Sequence, residues 1–462
     1  MSRVSERLSS GEDVDRARTI KGFLMLQRQS HSASSFFARC RGQARPELKP
    51  LLSMLRLVDI YRMSCVFSAC AVTFRCSDRK ILSTDVRLRL IQVGMAVRFV
   101  SASRIECVQV SAALQGKAET LSDIDTRHFT AWLRDGMGLR ELSVTGVQWE
   151  ACDPSAHQLS DCLVGKGLRV LDLSHNCLTD AAVRSIARAL GRPRAASEHI
   201  VGVTESLTGA AADSLEILLL DLNDITSAGV EALLPVCACV VREWGLKHNH
   251  IGDNICDVIG KWSLRSSVWD LRTNGITSNG CSGIAKALPD MIGARLGCNL
   301  LGDLGVRRLA EGLGERLQLL DLRLGQFGDE GAVALGRLLY VATSLRELLL
   351  SGNSVGSHGA GVLACGWADL RDLEYVDLSS NPLGCEGLEL IAGELCIWTQ
   401  SPFRLALNGV GCEDMGAGRL QTALTENPRY DHGWLIELRN NRIGGKLVKA
   451  IQRSLEEPPP EG

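Results

Sequence analysis

The segment LRVLDLSHNCLTDAAVRSIARAL, residues 168–190, changes from the spacing of a β-strand to that of an α-helix within one short unit. Its first half places leucines two residues apart, at Leu171 and Leu173, and Asn176 follows them. Its second half places apolar residues four apart, at Ala182, Ile186 and Leu190. Alternate residues of a strand share one face, and residues four apart share one face of a helix. The segment therefore predicts a strand, a turn and an amphipathic helix.

The same unit returns along most of the chain, and the residue that corresponds to Asn176 marks its register. A leucine stands three residues before every marker, an apolar residue stands two after it, and a glycine often stands six after it. The spacing between markers, by subtraction, is 25 to 31 residues, apart from one interval of 47. The markers are Asn176, Asn223, Asn249, Asn274, Asn299, Gly325, Asn353, Asn381, Val410 and Asn441.

These units resemble the leucine-rich repeat family, in its ribonuclease-inhibitor-like subtype with long, helix-bearing repeats. The residues that carry the resemblance are LDLSHNCLTD at 171–180, LLLDLNDITSAG at 218–229, LLLSGNSVGSHG at 348–359 and VDLSSNPLGCEG at 376–387. The resemblance covers about residues 139–455. It implies an α/β fold, a leucine-rich repeat solenoid in which parallel strands line the concave face of a curved horseshoe and helices cover the convex face. Three departures are short middle repeats, Trp244 and Trp269 in place of strand leucines, and about twenty extra residues near 192–213.

The curvature and the marker asparagine both have physical reasons. Strands pair about 4.8 Å apart, whereas packed helices need roughly 8–10 Å, so a stack of strand–helix units bends with its strands inside. An asparagine amide after the strand can satisfy buried backbone groups of adjacent repeats. Gly325 and Val410 lack this amide, and the sequence predicts looser packing there.

Composition favours a globular chain and argues against several classes of protein. The 462 residues are 45% hydrophobic and carry a net charge of −2, which argues against a surface built for nucleic acid. Uninterrupted apolar runs are too short to span a membrane. Seventeen scattered cysteines without a CxxC pair favour free thiols in a reducing compartment. The sequence therefore predicts a cytoplasmic protein, and its basic N-terminal segment leaves organelle targeting as the alternative.

The domain organisation follows from where the repeats begin. Residues 1–46, rich in serine and basic residues, are predicted to form a flexible tail, and residues 47–138 a helical segment with a degenerate capping repeat. Residues 139–457 are predicted to form the solenoid, in which 192–213 is either a loop insertion or a decayed repeat. Residues 458–462 are predicted to be a second flexible tail.

Strand residues four and two positions before each marker should point away from the leucines, onto the concave face. The row four before the marker carries mainly acids, whereas the row two before it carries mainly bases. Two rows of opposite sign suit a protein partner of mixed charge. The predicted partner-binding residues are Asp172, Leu219, Asp221, Lys247, Asp270, Arg272, Arg295, Asp321, Arg323, Leu349, Asp377, Glu437 and Arg439.

A second interpretation of the same charges is that they pair with each other. The predicted pairs are Asp270 with Arg272, Asp321 with Arg323, and Glu437 with Arg439, each worth about 0–1 kcal/mol. Leu219, Leu222 and Leu349 are predicted to be exposed apolar anchors for a partner.

The sequence offers no constellation for catalysis. It has no GxSxG or kinase signature, and the Gly-Lys pairs at Gly116 and Gly260 lack the remaining residues of a phosphate-binding loop. The nine histidines are scattered, so no metal site and no cofactor are predicted. Trp244 and Trp269 are predicted to be core residues and not base-stacking platforms.

The predicted function is a non-enzymatic scaffold that binds a protein partner on the concave face, without nucleic acid or membrane. The alternative is a GTPase-activating protein, because one group of proteins with similar repeats accelerates GTP hydrolysis by a small GTPase. Those proteins typically carry a strongly acidic C-terminal tail, and this chain ends in EEPPPEG. Actin-filament capping is a third, weaker reading of the resemblance.

Overall fold

The computed structural model describes residues 139–148, 167–191, 214–259, 267–368, 370–396, 403–426 and 434–456, and short segments at 70–76, 86–87, 105–112, 119–120, 133, 159–160 and 162–164. The predicted flexible tails, most of the predicted helical segment and capping repeat at 47–138, and the extra segment at 192–213 lie outside the described residues.

The described strands are short, most of them three residues long, and each repeat contributes one. They are β1 (Cys70–Cys76), β2 (Val86–Arg87), β3 (Ile105–Ala112), β4 (Glu119–Thr120), β5 (Glu141–Thr145), β6 (Val147–Gln148), β7 (Val170–Asp172), β8 (Ile217–Leu219), β9 (Glu243–Gly245), β10 (Val268–Asp270), β11 (Gly293–Arg295), β12 (Leu319–Asp321), β13 (Glu347–Leu349), β14 (Tyr375–Asp377), β15 (Arg404–Ala406) and β16 (Leu435–Glu437).

From β7 onward each strand is followed by a helix. The described helices are α1 (Asp180–Leu190), α2 (Ser227–Cys237), α3 (Ile255–Ile259), α4 (Ser278–Ala287), α5 (Gly302–Glu311), α6 (Asp329–Leu338), α7 (Ser357–Trp367), α8 (Gly384–Leu395), α9 (Asp414–Glu426) and α10 (Gly445–Glu456). Two 3₁₀ turns, Leu288–Asp290 and Leu339–Val341, continue α4 and α6. The shortest of these helices, α3, lies in one of the short middle repeats.

One sheet of fourteen strands runs through the molecule in the order β16 down to β7, then β5, β3, β1 and β2. Every neighbouring pair from β3 to β16 is parallel, whereas β1 is antiparallel to both β3 and β2. Strands that alternate with helices along one continuous parallel sheet confirm the predicted α/β solenoid. Strand β3 shows that the sheet extends before residue 139.

The middle residues of the strands form one buried row between the sheet and the helices. Trp244 and Trp269 occupy this row in β9 and β10, where they pair in register and are fully buried. Their rings stack with centroids 4.6 Å apart and planes 12° from parallel, and Trp269 Nε1 donates to Ser267 Oγ at 3.0 Å. The prediction that both tryptophans belong to the core is confirmed.

The marker asparagines form a hydrogen-bonded ladder from repeat to repeat. Asn299 Oδ1 accepts from the backbone N–H groups of Asn274 (2.9 Å) and Ile276 (3.1 Å) in the preceding repeat. Its Nδ2 donates to the carbonyls of Leu271 (2.9 Å) and Leu296 (2.8 Å). One buried amide thus satisfies backbone groups of two repeats, as the sequence predicts.

The looser packing predicted at Gly325 and Val410 is not found. Both residues are buried, and their backbone N–H groups donate to the next asparagine in the ladder at 2.8 and 2.9 Å. In the preceding repeats, Gly302 and Gly384 turn with φ of 59° and 65° and donate to the carbonyls of Gly325 and Val410, both at 3.0 Å. A backbone hydrogen bond joins these repeats where the marker has no amide to offer.

The residue directly before each marker has a left-handed backbone in all ten repeats. Its φ lies between 52° and 70°, although eight of the ten residues are not glycine. The turn after each strand therefore has the same shape in every repeat, and it projects these side chains at the edge of the concave face. They are His175, Leu222, His248, Thr273, Cys298, Leu324, Gly352, Ser380, Gly409 and Asn440.

The glycine six residues after the marker permits a helix cap that crosses from one repeat to the next. Asp329, at the start of α6, lies against the first turn of α7, where its Oδ1 accepts from the N–H groups of Gly356 (2.7 Å) and Gly359 (3.0 Å). A Cβ on Gly359 would lie only 2.5 Å from that oxygen. Asp303 makes the same contacts with Gly328 and Gly331, both at 2.8 Å. The negative charge also suits the positive end of each helix dipole.

Candidate partner-binding surface

The concave face is built from three rows of strand residues. Two rows are those that the sequence predicts, four and two positions before the marker. The third row, six before the marker, is the first residue of each strand and shares the same face by alternation. Sequence reasoning missed this row, although the period of two could have been extended by one more step. Its members are Val170, Ile217, Glu243, Val268, Gly293, Leu319, Glu347, Tyr375, Arg404 and Leu435.

Two arginine–aspartate pairs occupy the centre of this face. Arg272 Nε donates to Asp270 Oδ1 at 2.8 Å, and Arg323 Nε donates to Asp321 Oδ1 at 2.9 Å. A second guanidinium nitrogen of each arginine bonds the other carboxylate oxygen. These bonds raise the pKa of both arginines. The predicted pairing of these two arginine–aspartate sets is therefore present.

The two members of each pair differ in exposure. The side chain of Asp321 is 0% exposed while that of Arg323 is 37% exposed, and the values are 9% for Asp270 and 26% for Arg272. The carboxylates lie against the sheet and the guanidinium groups lie above them. A partner that approaches this part of the concave face therefore meets arginine and not aspartate.

A glycine in the turn after the neighbouring strand explains the burial of Asp321. Gly297, in the adjacent repeat, has no side chain, and a Cβ there would lie 3.0 Å from Asp321 Oδ1. The same carboxylate oxygen accepts from the backbone N–H of Arg323 at 3.1 Å. Asp270 accepts similarly from the backbone N–H of Arg272 at 3.2 Å. These aspartates thus have a structural role at the ends of their strands.

Arg295 lies between the two pairs. In the strand register it faces Asp270 on one side and Asp321 on the other. Its own strand offers only Gly293 and Gly297 at the other concave positions. We call Arg272, Arg295 and Arg323 the central arginine strip.

The strands that precede this strip are acidic. Asp172 accepts from Ser143 Oγ at 2.8 Å and from the N–H of Ser174 at 3.0 Å. Asp221 Oδ1 accepts from the backbone N–H of Lys247 at 2.7 Å, and burial raises the pKa of Asp221 to about 6. The structure thus places the predicted residues Asp172, Asp221 and Lys247 together on one part of the face.

The predicted pair of Glu437 with Arg439 is not formed. Glu437 instead accepts from Arg404 Nε at 2.9 Å and from Asn408 Nδ2 at 3.0 Å, and these bonds lower its pKa. Arg404 begins the neighbouring strand, and the residue opposite Glu437 is the short Ala406, which leaves room for the arginine. Arg404 also lies over the ring of Tyr375, 4.8 Å from its centroid. Arg439 is exposed.

The predicted apolar anchors are corrected in part. Leu349 is only 8% exposed, because it lies in register between Asp321 and Asp377, whose side chains flank it. Leu219 is half-buried and leans over Gly245, where a Cβ would lie 2.8 Å from its Cδ2. Leu222 is exposed, but it projects from the turn and not from the strand.

Two further leucines are exposed beside the central arginine strip. Leu300 and Leu324 are 52% and 55% exposed and lie in the turns that follow β11 and β12. Leu324 directly precedes a marker, in the left-handed position, and its Cδ2 would be 2.5 Å from a Cβ on Gly352. Its side chain therefore extends over the glycine of the next repeat. Sequence reasoning missed both leucines, because the repeat pattern does not specify the residues beside the marker.

Asp377 completes the predicted set, and it is half-buried and accepts from the N–H of Ser379 at 3.0 Å. In the described part of the chain, no group of three or more His, Cys, Asp or Glu side chains could hold a metal ion. Cys237 is a buried free thiol, and burial raises its pKa to about 12. None of the described helices has both the length and the apolar character needed to cross a membrane.

Comparisons with known proteins agree with this architecture. A family model described as "Leucine Rich repeat" matches residues 168–187, 213–234, 317–336 and 370–392. The chain is 27% identical to the ribonuclease inhibitor of Sus scrofa over 63% of its length and 68% of that protein. It is 26% identical to the ribonuclease inhibitor of Mus musculus over 80% of its length and 88% of that protein.

A third similarity is to a larger protein. NACHT, LRR and PYD domains-containing protein 12 of Mus musculus is 26% identical over 63% of this chain, which spans 27% of that protein. The repeats, the sheet and these relatives lead to one conclusion. This chain is built of leucine-rich repeats, and they are similar to those of the ribonuclease inhibitors.

Proposed function

We propose that this chain is a non-enzymatic scaffold that binds a protein partner on the concave face of its repeats. The observation that carries the proposal is the face itself: a continuous run of parallel strands, β3, β5 and β7 to β16, with three rows of side chains on one side of β7 to β16. A rigid surface of this size, with charged groups at many positions, is suited to a macromolecule and not to a small substrate.

The relatives support a protein as the partner. The two ribonuclease inhibitors are named for the inhibition of a ribonuclease, which is itself a protein. Several polar side chains of this face, such as Asp172, Asp270 and Asp377, are held by backbone N–H groups. Carboxylates held in place by backbone N–H groups are suited to recognition of a partner. Catalysis would instead need a nucleophile or base within reach of a reacting atom.

The experiment that tests the proposal blocks the concave face by steric bulk. Affinity purification of the full chain from its native cell, with identification of the bound proteins, would supply a partner for binding measurements with purified components. Ser351 is half-buried on the concave face, two positions before its marker, and Ser351→Trp would add an indole there. We expect this variant to lose capture of the partner while its melting temperature stays close to that of the wild type.

The matched control adds the same bulk to the convex side. Asn279→Trp changes an exposed residue in the first turn of α4. We expect this variant to capture the partner as the wild type does. Loss of capture with the convex variant alone, or with neither variant, would contradict binding on the concave face.

A further inference from the structure

The centre of the concave face is basic at its surface, although its sequence contains both signs of charge. Three arginines against two aspartates leave a net charge of +1 in β10 to β12 and the turns after them. The side chains of Asp270 and Asp321 are 9% and 0% exposed, so the carboxylates contribute little to the accessible surface. The guanidinium groups of the central arginine strip are what a partner would contact.

Neighbouring strands limit the extent of this basic surface. Asp172, Asp221 and Glu243 lie on the strands or turns before it, and Glu347 and Asp377 lie on the strands after it. Lys247, beside Arg272 in the turn after β9, adds one further basic position. With Lys247 the basic surface covers four strands, or three spacings of about 4.8 Å, so it is about 14 Å wide. A nucleic-acid backbone that followed the face would meet these acids on both sides of the strip. A short segment with a few carboxylates fits its width.

The turns beside the strip add an apolar component. Leu300 and Leu324 are both more than half exposed, in the two repeats that contain Arg295 and Arg323. Leu324 shares the left-handed φ of the residue before each marker, and this turn projects its side chain over Gly352 of the next repeat. Two exposed leucines next to charged groups offer apolar contact area to a partner.

We propose that the central arginine strip, with Leu300 and Leu324 beside it, binds a short acidic segment of a protein partner that also carries apolar side chains. This inference rests on the proposed function and specifies the chemistry of its partner. Carboxylates of the segment bond to the guanidinium groups, and its apolar side chains pack on the two leucines. Arginine forms two parallel bonds with a carboxylate, which makes it suited to this role.

The experiment measures binding of a fluorescein-labelled peptide, (Glu-Glu-Leu)4, to the full chain by fluorescence anisotropy. The comparison probes are (Lys-Lys-Leu)4 and a twelve-nucleotide single-stranded DNA. We expect the acidic peptide to bind, and its binding to weaken as salt is added, because the charges involved are exposed. Stronger binding of the DNA would overturn the proposal in favour of a nucleic-acid site, and stronger binding of the basic peptide would overturn it outright.

The diagnostic variant is Arg295→Glu. Among the described residues no ion pair includes Arg295, so its substitution leaves no buried carboxylate without a partner. We expect Kd for the acidic peptide to rise by about tenfold or more, since the charge at the centre of the strip is reversed. Arg184→Glu makes the same change at an exposed arginine of α1, on the helix side of the sheet, and its Kd should stay near the wild-type value.

Leu324→Ser tests the apolar component. We expect it to weaken binding of (Glu-Glu-Leu)4 severalfold, with less effect on a peptide of glutamates alone. Equal effects of Arg295→Glu and Arg184→Glu would overturn the proposal. If Ser351→Trp abolishes capture of the natural partner while Arg295→Glu does not, binding on the concave face is supported. In that case the proposal that the partner binds through an acidic segment is wrong. If neither variant alters capture, the proposed function itself fails.

Discussion

At the scale of single residues, the sequence predicts which side chains share a face but not how deeply each one is buried. Asp321 and Asp377 occupy the same row, yet Asp321 is fully buried and Asp377 is half-buried. The difference depends on the neighbouring repeat, where Gly297 leaves space for Asp321. A pattern that is read along one repeat contains no information about the residue beside it in the sheet. For the same reason the sequence predicted Leu349 as exposed and paired Glu437 with the wrong arginine.

The asparagine ladder gives a prediction about stability. Asn299→Ala removes a buried amide that accepts two backbone hydrogen bonds and donates two shorter than 3.0 Å. We expect the free energy of unfolding to fall by about 1–3 kcal/mol, because buried backbone groups lose their partners. Urea denaturation monitored by circular dichroism measures this free energy. Asn279→Ala, at an exposed position of α4, is the control and should stay within about 0.5 kcal/mol. Equal losses would contradict the ladder.

Asp221 gives a prediction about pH. Burial raises its pKa in the folded chain to about 6, whereas an unfolded aspartate titrates near 3.9. The folded state therefore holds this proton at higher pH than the unfolded state does. Its contribution to stability is full below pH of about 4 and is lost as pH rises through about 6.

Asp221→Asn removes this dependence, and its amide oxygen can still accept from the N–H of Lys247. We expect the variant to be more stable than the wild type at pH 7.5, with the difference vanishing near pH 4. Melting temperatures of both proteins, measured from pH 4 to pH 7.5, test this prediction. Glu311→Gln, an exposed acid on α5, should follow the wild type at every pH. A difference in melting temperature between Asp221→Asn and the wild type that grew toward low pH would show that the direction of the pKa shift is wrong.

At the scale of elements, the sequence predicts strand, turn and helix correctly because their periods differ, but it does not reveal how one helix caps the next. Asp303 and Asp329 bind the first turn of the following helix across the repeat boundary. The sequence shows that a glycine recurs six residues after the marker, but it does not show why. At Gly331 and Gly359 the reason is a carboxylate of the preceding repeat, 2.9 and 2.5 Å from where a Cβ would lie. At Gly387 and Gly416 it is the backbone of the preceding repeat, with Ser357 Cα at 3.3 Å and Cys385 Cα at 2.9 Å.

Two glycine substitutions should therefore have opposite effects. In Gly359→Ala the new methyl group displaces Asp329 from two N–H groups, and we expect a loss of about 1–3 kcal/mol. In Gly393→Ala, on the exposed face of α8, nothing lies within 4 Å of the new Cβ. This variant should gain about 0.5–1 kcal/mol, because alanine favours a helix more than glycine does. Chemical denaturation of both variants measures these changes in the free energy of unfolding. Two changes of the same sign would contradict the helix cap that Asp329 forms at Gly359.

At the scale of the whole molecule, the register that the leucines define is sufficient to predict the solenoid. Repeats that lack the marker asparagine keep the backbone bond between repeats, since Gly302 and Gly384 donate to Gly325 and Val410 as Gly252 donates to Asn274. The candidate site was less predictable, because its outward charge depends on contacts between repeats, as where Gly297 leaves space for the Asp321 carboxylate. The sequence predicted which side chains share the concave face and most of its charged residues, but not the sign of the charge at its centre.

A stack of this kind should also respond locally to damage, since each repeat packs only against its neighbours. Phe327, fully buried after the marker Gly325, is the largest apolar residue at its position in the repeats. Phe327→Ala should cost about 3–5 kcal/mol, as other large cavities do. We expect hydrogen exchange, measured by mass spectrometry, to rise in β11 to β13 and α5 to α7 and to stay unchanged in β7, β8 and α1. Tyr340→Ala, at an exposed aromatic residue of the same region, should change neither stability nor exchange appreciably. Because a single cooperative core would lose protection everywhere at once, a uniform rise across all repeats would show that the molecule does not behave as a one-dimensional stack.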